Sequence, residues 1–278
     1  MTKITKRLRS LAVQAMVLAG ALSAAEAGAV SLFTVNPNFG GGVLSTAGAP
    51  FQATAINGFS SNRIAYTGSG STYTSDGYAF FNGFALNNTG VSTGLSRVNL
   101  DYGLYAVFHQ TLDCSGPLAP GVSCGASNMS FELYADPGND NVYTAASLAG
   151  NPTVDQAGSV DILLASSNVV HSGLGGLDAL GGAYQNLNIG WTLTAAGSEY
   201  FSWPFPFYDA AFTAFNNTSQ GLSCDTPNCV GATVVAIASE AGILDFNARA
   251  VPEPGALALA GIGLLGMVAA RRRRQPAA

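Results

Sequence analysis

Two Gly-x-Ser-x-Gly strings carry nucleophile-type residues, Gly90 to Gly94 around Ser92 and Gly121 to Gly125 around Ser123. In a hydrolase such a string forms a strained strand-to-helix elbow, with a histidine base later in the chain. Neither string runs into a helical pattern, Ser123 adjoins Cys124, and a chain with 34 glycines produces such strings as turns. Only His109 and His171 are available, so most acid–base and histidine–metal schemes lack parts. His109 sits on an alternating strand pattern and His171 in a glycine-rich loop. Asp136 and Asp140 could serve a glycosidase only if folding set them at a working separation. The expectation is no catalytic residue and no enzymatic activity, with a secreted hydrolase as the remote alternative.

Binding chemistry has better candidates. In Asp136-Pro137-Gly138-Asn139-Asp140-Asn141, Asp and Asn side chains around a glycine bend could gather oxygens about Ca²⁺, with Asp136 and Asp140 as ligands. The spacing is not that of an EF-hand, and an ordinary Asp-Pro-Gly turn explains it equally well. No other cofactor is implied. The run Tyr200 to Tyr208 is the densest in aromatics, and Trp203 and Tyr208 are the candidates for stacking against a sugar ring. Its alternating prolines exclude a central strand, so it is an edge or a loop folded over the core.

Cys114, Cys124, Cys224 and Cys229 allow three disulfide connectivities. Cys114 with Cys124 and Cys224 with Cys229 is the expected pairing, because each pair brackets a proline-containing loop. Zinc is the rival, but the spacings are not finger-like and no histidine lies near.

The elements that must position these residues read as strands. Leu104 to Thr111, Ser130 to Ala135 and Leu244 to Arg249 alternate with period two. Further candidates are 63–67, 78–86, 159–164, 187–194, 211–215 and 233–238, separated by turn-rich stretches such as 67–71, 136–139 and 172–182. Many strands, glycine-rich connections and almost no helix predict an all-β body, a single β-sandwich or jelly roll spanning 28–250.

Composition restricts the partners. Both lysines and six of the nine arginines lie in the two ends, leaving Arg63, Arg97 and Arg249 in the body against many carboxylates. Such a surface repels phosphate backbones, so nucleic acid is excluded as a partner. About 220 residues remain between the ends, enough for one sizeable core.

The ends are sorting signals. Lys3, Lys6, Arg7 and Arg9 precede an apolar run from Leu11 to Leu22 and small residues at Ala25 to Ala27, the order of a signal peptide cleaved after Ala27. About twelve apolar residues are too few to span a bilayer. At the other end, residues 251–274 combine Pro252-Glu253-Pro254, an uncharged stretch over 255–270, and Arg271, Arg272, Arg273 and Arg274. The arginines stay cytoplasmic by the positive-inside rule, so the body faces outward. Physics alone leaves a plain membrane anchor and a processed signal both open.

This tail resembles the PEP-CTERM sorting signal of Gram-negative bacteria that make exopolysaccharide, which the membrane protease-transpeptidase exosortase recognises. The resemblance implies export through the inner membrane, transient membrane contact through 255–270, and release to the cell surface or matrix. The body is similar to the flocculation-associated PEP-CTERM proteins of floc-forming bacteria. The likeness rests on Gly68 to Tyr73 leading to Gly77-Tyr78, on Asn99 to Phe108, and on Leu133 to Pro137, with the Tyr200 to Phe215 stretch where a comparable segment is expected. The two cysteine loops depart from it. It implies a non-enzymatic surface or matrix protein that associates with exopolysaccharide and promotes floc or biofilm formation. An extracellular carbohydrate-binding module is the alternative.

Overall fold

A computed structural model of the protein describes residues 31–216 and 221–247. The expected signal peptide (1–27), the sorting tail (251–274) and Arg249 of the expected strand 244–249 lie outside the described residues.

Side chains of a strand face alternately to its two sides. In Gly103–Cys114, Leu104, Ala106, Phe108, Gln110 and Leu112 are buried, while His109 and Asp113 are exposed. The same alternation recurs along the chain and builds a meander. After β1 (Phe33–Val35) and β2 (Phe51–Ala53) come β3 (Ala55–Tyr66) and β4 (Thr72–Leu86), with the short β5 (Thr89–Gly90) paired onto the end of β4. Then follow β6 (Gly103–Cys114) and β7 (Ser123–Asp136), an excursion with β8 (Val142–Thr144) and β9 (Thr153–Asp155), and β10 (Ile162–Ser167). The chain continues through β11 (Val170–Leu177), β12 (Ala183–Ile189), β13 (Thr192–Leu193), β14 (Phe201–Trp203), β15 (Asp209–Asn216), β16 (Leu222–Cys224) and β17 (Val234–Asn247).

The strands close into a ring. β3, β4, β6, β7, β11, β12, β15 and β17 pair antiparallel in that order, and β17 returns to β3, giving a closed eight-stranded barrel. On its side away from β6, β7 serves two partners, β10 along Phe131–Ala135 and β11 along Ser123–Gly125. The all-β expectation is correct, but the expected sandwich or jelly roll is not: the body is a barrel. Both architectures show the same local alternation. What separates them is the pairing of 55–65 with 234–245, which removes the free edges of the sheet.

Two expected elements also change. The stretch 172–182, read as turns, contains most of β11; Gly173 lies where a side chain would strike Ala126 and Leu187, so the strand is glycine-rich for close approach. Residues 234–238 and 244–247 of the two expected strands belong to one strand, β17, with an irregularity between Ile237 and Glu240.

An eight-stranded barrel is just wide enough for side chains to fill. Phe81, Phe108, Phe131 and Phe212 cross the interior, and small residues opposite make room; the Phe108 ring lies where a side chain on Gly77 would stand. One apolar cluster fills the barrel toward the cap made by β14, β1 and β2 and the short helix Ala195–Tyr200. Ring contacts run through it from Phe33 to Phe246 (4.9 Å), Trp191 (5.7 Å) and Phe131 (5.9 Å). A second cluster, with Tyr73, Leu112, Leu118, Val235 and Ile237, fills the end carrying both disulfides. The disulfides are Cys114–Cys124 and Cys224–Cys229, the expected pairs. Between the clusters lies a buried polar belt of Ser60, Asn62, Ser75, Gln110, Gln185 and Glu240.

Outward positions include Asp76, His109, Glu132 and Asn186. They share the outer face with exposed apolar side chains such as Phe59 and Leu174.

Candidate functional site

The aromatic run Tyr200–Tyr208 straps the cap and divides its rings between core and surface. Tyr200 and Phe201 are fully buried and Phe207 nearly so. The Tyr200 hydroxyl lies 2.9 Å from that of Tyr102, which donates to the Ser96 carbonyl at 3.1 Å. Burial pushes both phenols well above their ordinary range. Trp203 and Phe205, each followed by a cis proline, turn outward and are 47% and 62% exposed. Of the two candidate stacking residues, Trp203 therefore offers an open ring. Tyr208 is half-buried and donates its hydroxyl to the Leu32 carbonyl at 2.9 Å. Phe205 is a second open ring, and its place between Pro204 and Pro206 is the signal the sequence holds for it.

The carboxylates of the calcium candidate are drawn into the turn itself. Asp136 is 1% exposed and accepts from the backbone of Gly138 (3.0 Å) and of Asn141 (3.1 Å). Asp140 packs over Gly138 and Gly158. Asp161 joins the loop by accepting from Asn141 Nδ2 at 2.8 Å and from the Tyr105 hydroxyl. Among the described residues, no group of three or more His, Cys, Asp or Glu side chains is gathered as a metal ion would need.

Ser92 precedes the four-residue helix Thr93–Ser96, so a strand–turn–helix order does occur there. Its backbone (φ −62, ψ 140) is ordinary extended geometry, unlike the strained elbow of a hydrolase. Ser123 starts β7 beside the disulfide. His171 lies on β11, 3.5 Å from Asp209. His109 meets Asp76 across β4 and β6 at 2.6 Å, and Ser130 is its register partner on β7. This Asp–His–Ser row, invisible in the linear sequence, lies on an open sheet face with His109 52% exposed. There the contact is open to water, which weakens it. Asn151 donates to Asp76 at 3.1 Å and Arg63 to Asn151 at 3.2 Å, so the row anchors the excursion between β7 and β10 to the barrel.

The buried belt is the third cluster. Glu240 Oε1 accepts from Ser60 Oγ at 2.9 Å and Asn62 Nδ2 at 2.7 Å, and Gln185 donates to Gln110 at 3.0 Å. Asn62, Gln110, Gln185 and Glu240 line a chamber of ≈ 20 Å³. Burial pushes the Glu240 carboxyl up to about 7, against the two bonds it accepts.

No curated protein and no solved structure matches the chain. One family model does: the PEP-CTERM protein-sorting motif, over residues 250–274, which contains Pro252, Glu253, Pro254 and the Arg271 to Arg274 cluster. The motif implies processing by exosortase and sorting to the cell surface. The chain carries a PEP-CTERM protein-sorting motif over residues 250–274, a motif that indicates an exported, exosortase-targeted protein.

Proposed function

We propose that the barrel is a non-enzymatic surface or matrix protein that associates with exopolysaccharide and promotes floc or biofilm formation. The observation that carries this reading is the sorting motif at 250–274 behind a body rich in carboxylates and free of lysine. A polyanion at the cell surface stays hydrated and unattached to nucleic acid. The similarity of Gly68 to Tyr78, Asn99 to Phe108 and Leu133 to Pro137 to flocculation-associated proteins supports the same reading. Deleting residues 252–274 in the host should change retention or processing of the protein and weaken aggregation. Unaltered flocs in that strain, and in a full deletion, would refute it.

A carbohydrate-binding module is the second reading, favoured by the outward rings of Trp203 and Phe205. Sugar rings stack on flat aromatic faces, and an acidic body favours neutral sugars over uronic acids, whose charge it repels. Calorimetric titration with neutral and acidic fractions of the host polysaccharide distinguishes the two. Absence of binding by both fractions would remove this reading.

A further inference from the structure

Glu240 owes its place to a bulge. On β17, Val235 and Ile237 face the lumen, which would send Ser239 inward next. Instead Ile237 pairs with Asn62 and Glu240 with Ser60, so Ala238 and Ser239 together oppose Ser61. The extra residue inverts the alternation, as bulges do. From there Glu240, Leu244 and Phe246 point inward. The bulge is held by Ser61, whose hydroxyl donates to the Ile237 carbonyl at 2.9 Å and accepts from Ala146 N at 2.9 Å. It lies in the seam between β3 and β17, where the barrel closes.

The chamber around the carboxyl opposes its charge by burial and supplies no countercharge. Its partners Ser60 and Asn62 are neutral donors. Among the residues lining the chamber, Tyr184 is the one other ionisable group. On the neighbouring strands Arg63, Asp76 and His109 alternate to the outer face, and the Tyr73 hydroxyl is bound at the disulfide end by Ala232 and Leu118. From β15 the packed positions are Phe212 and Ala214, which carry no charge. No cation therefore faces Glu240 among the described residues. The space of ≈ 20 Å³ admits about one water molecule, too little to hydrate a carboxylate. Asn62 Oδ1 and Ser75 Oγ are buried without a partner, so the belt also has unmet hydrogen-bonding capacity.

We propose that the Glu240 chamber is a proton-binding site that couples closure of the barrel to pH, the protonated carboxyl holding the β3–β17 seam and its ionisation loosening it. The raised carboxyl pKa of about 7 agrees with this geometry. A group whose folded pKa exceeds its unfolded value stabilises fully below the unfolded pKa, here 4.5, and loses that contribution as pH rises through the folded one. The body would thus be tightest in acidic surroundings and loosen on the alkaline side of neutrality. This holds whatever the body binds outside the cell.

The test compares the exported protein with its Glu240→Gln variant, which keeps the acceptor oxygen for Asn62 and Ser60 but cannot ionise. Unfolding by urea is followed at pH 4.5, 6, 7 and 8. The wild-type folding constant should fall about a hundredfold relative to the variant between the ends of that range, and amide exchange along the seam should accelerate in the wild type alone. Parallel stability curves would overturn the proposal. Should the variant fail to fold, the carboxyl carbon signal of Glu240 in the wild type decides by NMR: a midpoint near 7 supports the site, and one in the ordinary glutamate range refutes it.

Discussion

Asn62 reaches across the closing seam of the barrel and donates from Nδ2 to Glu240 Oε1 at 2.7 Å, joining two residues 178 positions apart. Both side chains are almost wholly inaccessible to water. Asn62→Ala leaves the carboxyl accepting from Ser60 alone among the described side chains and should cost about 1–3 kcal/mol. The lost bond favoured the ionised form, so the Glu240 pKa should rise further. The pH at which stability declines should then move upward. Urea denaturation across pH, beside the wild type, measures both effects.

Under the cap, Tyr102 donates to the Ser96 carbonyl and shares a bond with Tyr200. Tyr102→Phe strands both partners in a dry interior and should cost about 1–3 kcal/mol. Tyr200→Phe leaves the Tyr102–Ser96 bond intact and should cost less. Equal losses in thermal unfolding would contradict this order.

Gly77 faces Phe108 across β4 and β6. A methyl group there must displace the Phe108 ring, so Gly77→Ala should destabilise by about 1–3 kcal/mol. Phe108→Leu in the same chain should recover part of that loss, which a double-mutant cycle of unfolding free energies reads directly.

The outward rings should matter to binding and little to stability. Phe205→Ala should shift unfolding by about 0.5 kcal/mol or less, since its ring is largely in water. If the strap stacks on sugar, Trp203→Ala should weaken polysaccharide binding by about tenfold, equivalent to ~1.4 kcal/mol. Tyr208→Phe should leave affinity unchanged while costing about 1 kcal/mol of stability through its bond to Leu32. Titration calorimetry and thermal unfolding on the same samples separate the two.

Much of the local structure is legible in the chain. Leu104 to Thr111 reads as a strand because one face must be buried, and it lies within β6. The disulfides are legible because each closes a short loop, so no distant contact is needed to bring the sulfurs together. The glycine-rich segment 172–182 misleads because glycine signals a turn, whereas here it permits strands to approach closely. Glu240 lies between the strand patterns 233–238 and 244–249, where no local pattern marks it. Its inward placement depends on a bulge formed against Ser61, far away in the chain.

Residue types and their order alone carry the sorting motif, because such a signal is recognised as a linear pattern: Pro252-Glu253-Pro254, an apolar stretch and four arginines. They also settle that the body is β-rich, since period-two alternation is local. Closure into a barrel, the polar chamber about Glu240 and the outward turn of Trp203 and Phe205 came from tertiary pairing. Each depends on which distant strands meet and in what register, and alternation along one strand is the same whichever partner it finds.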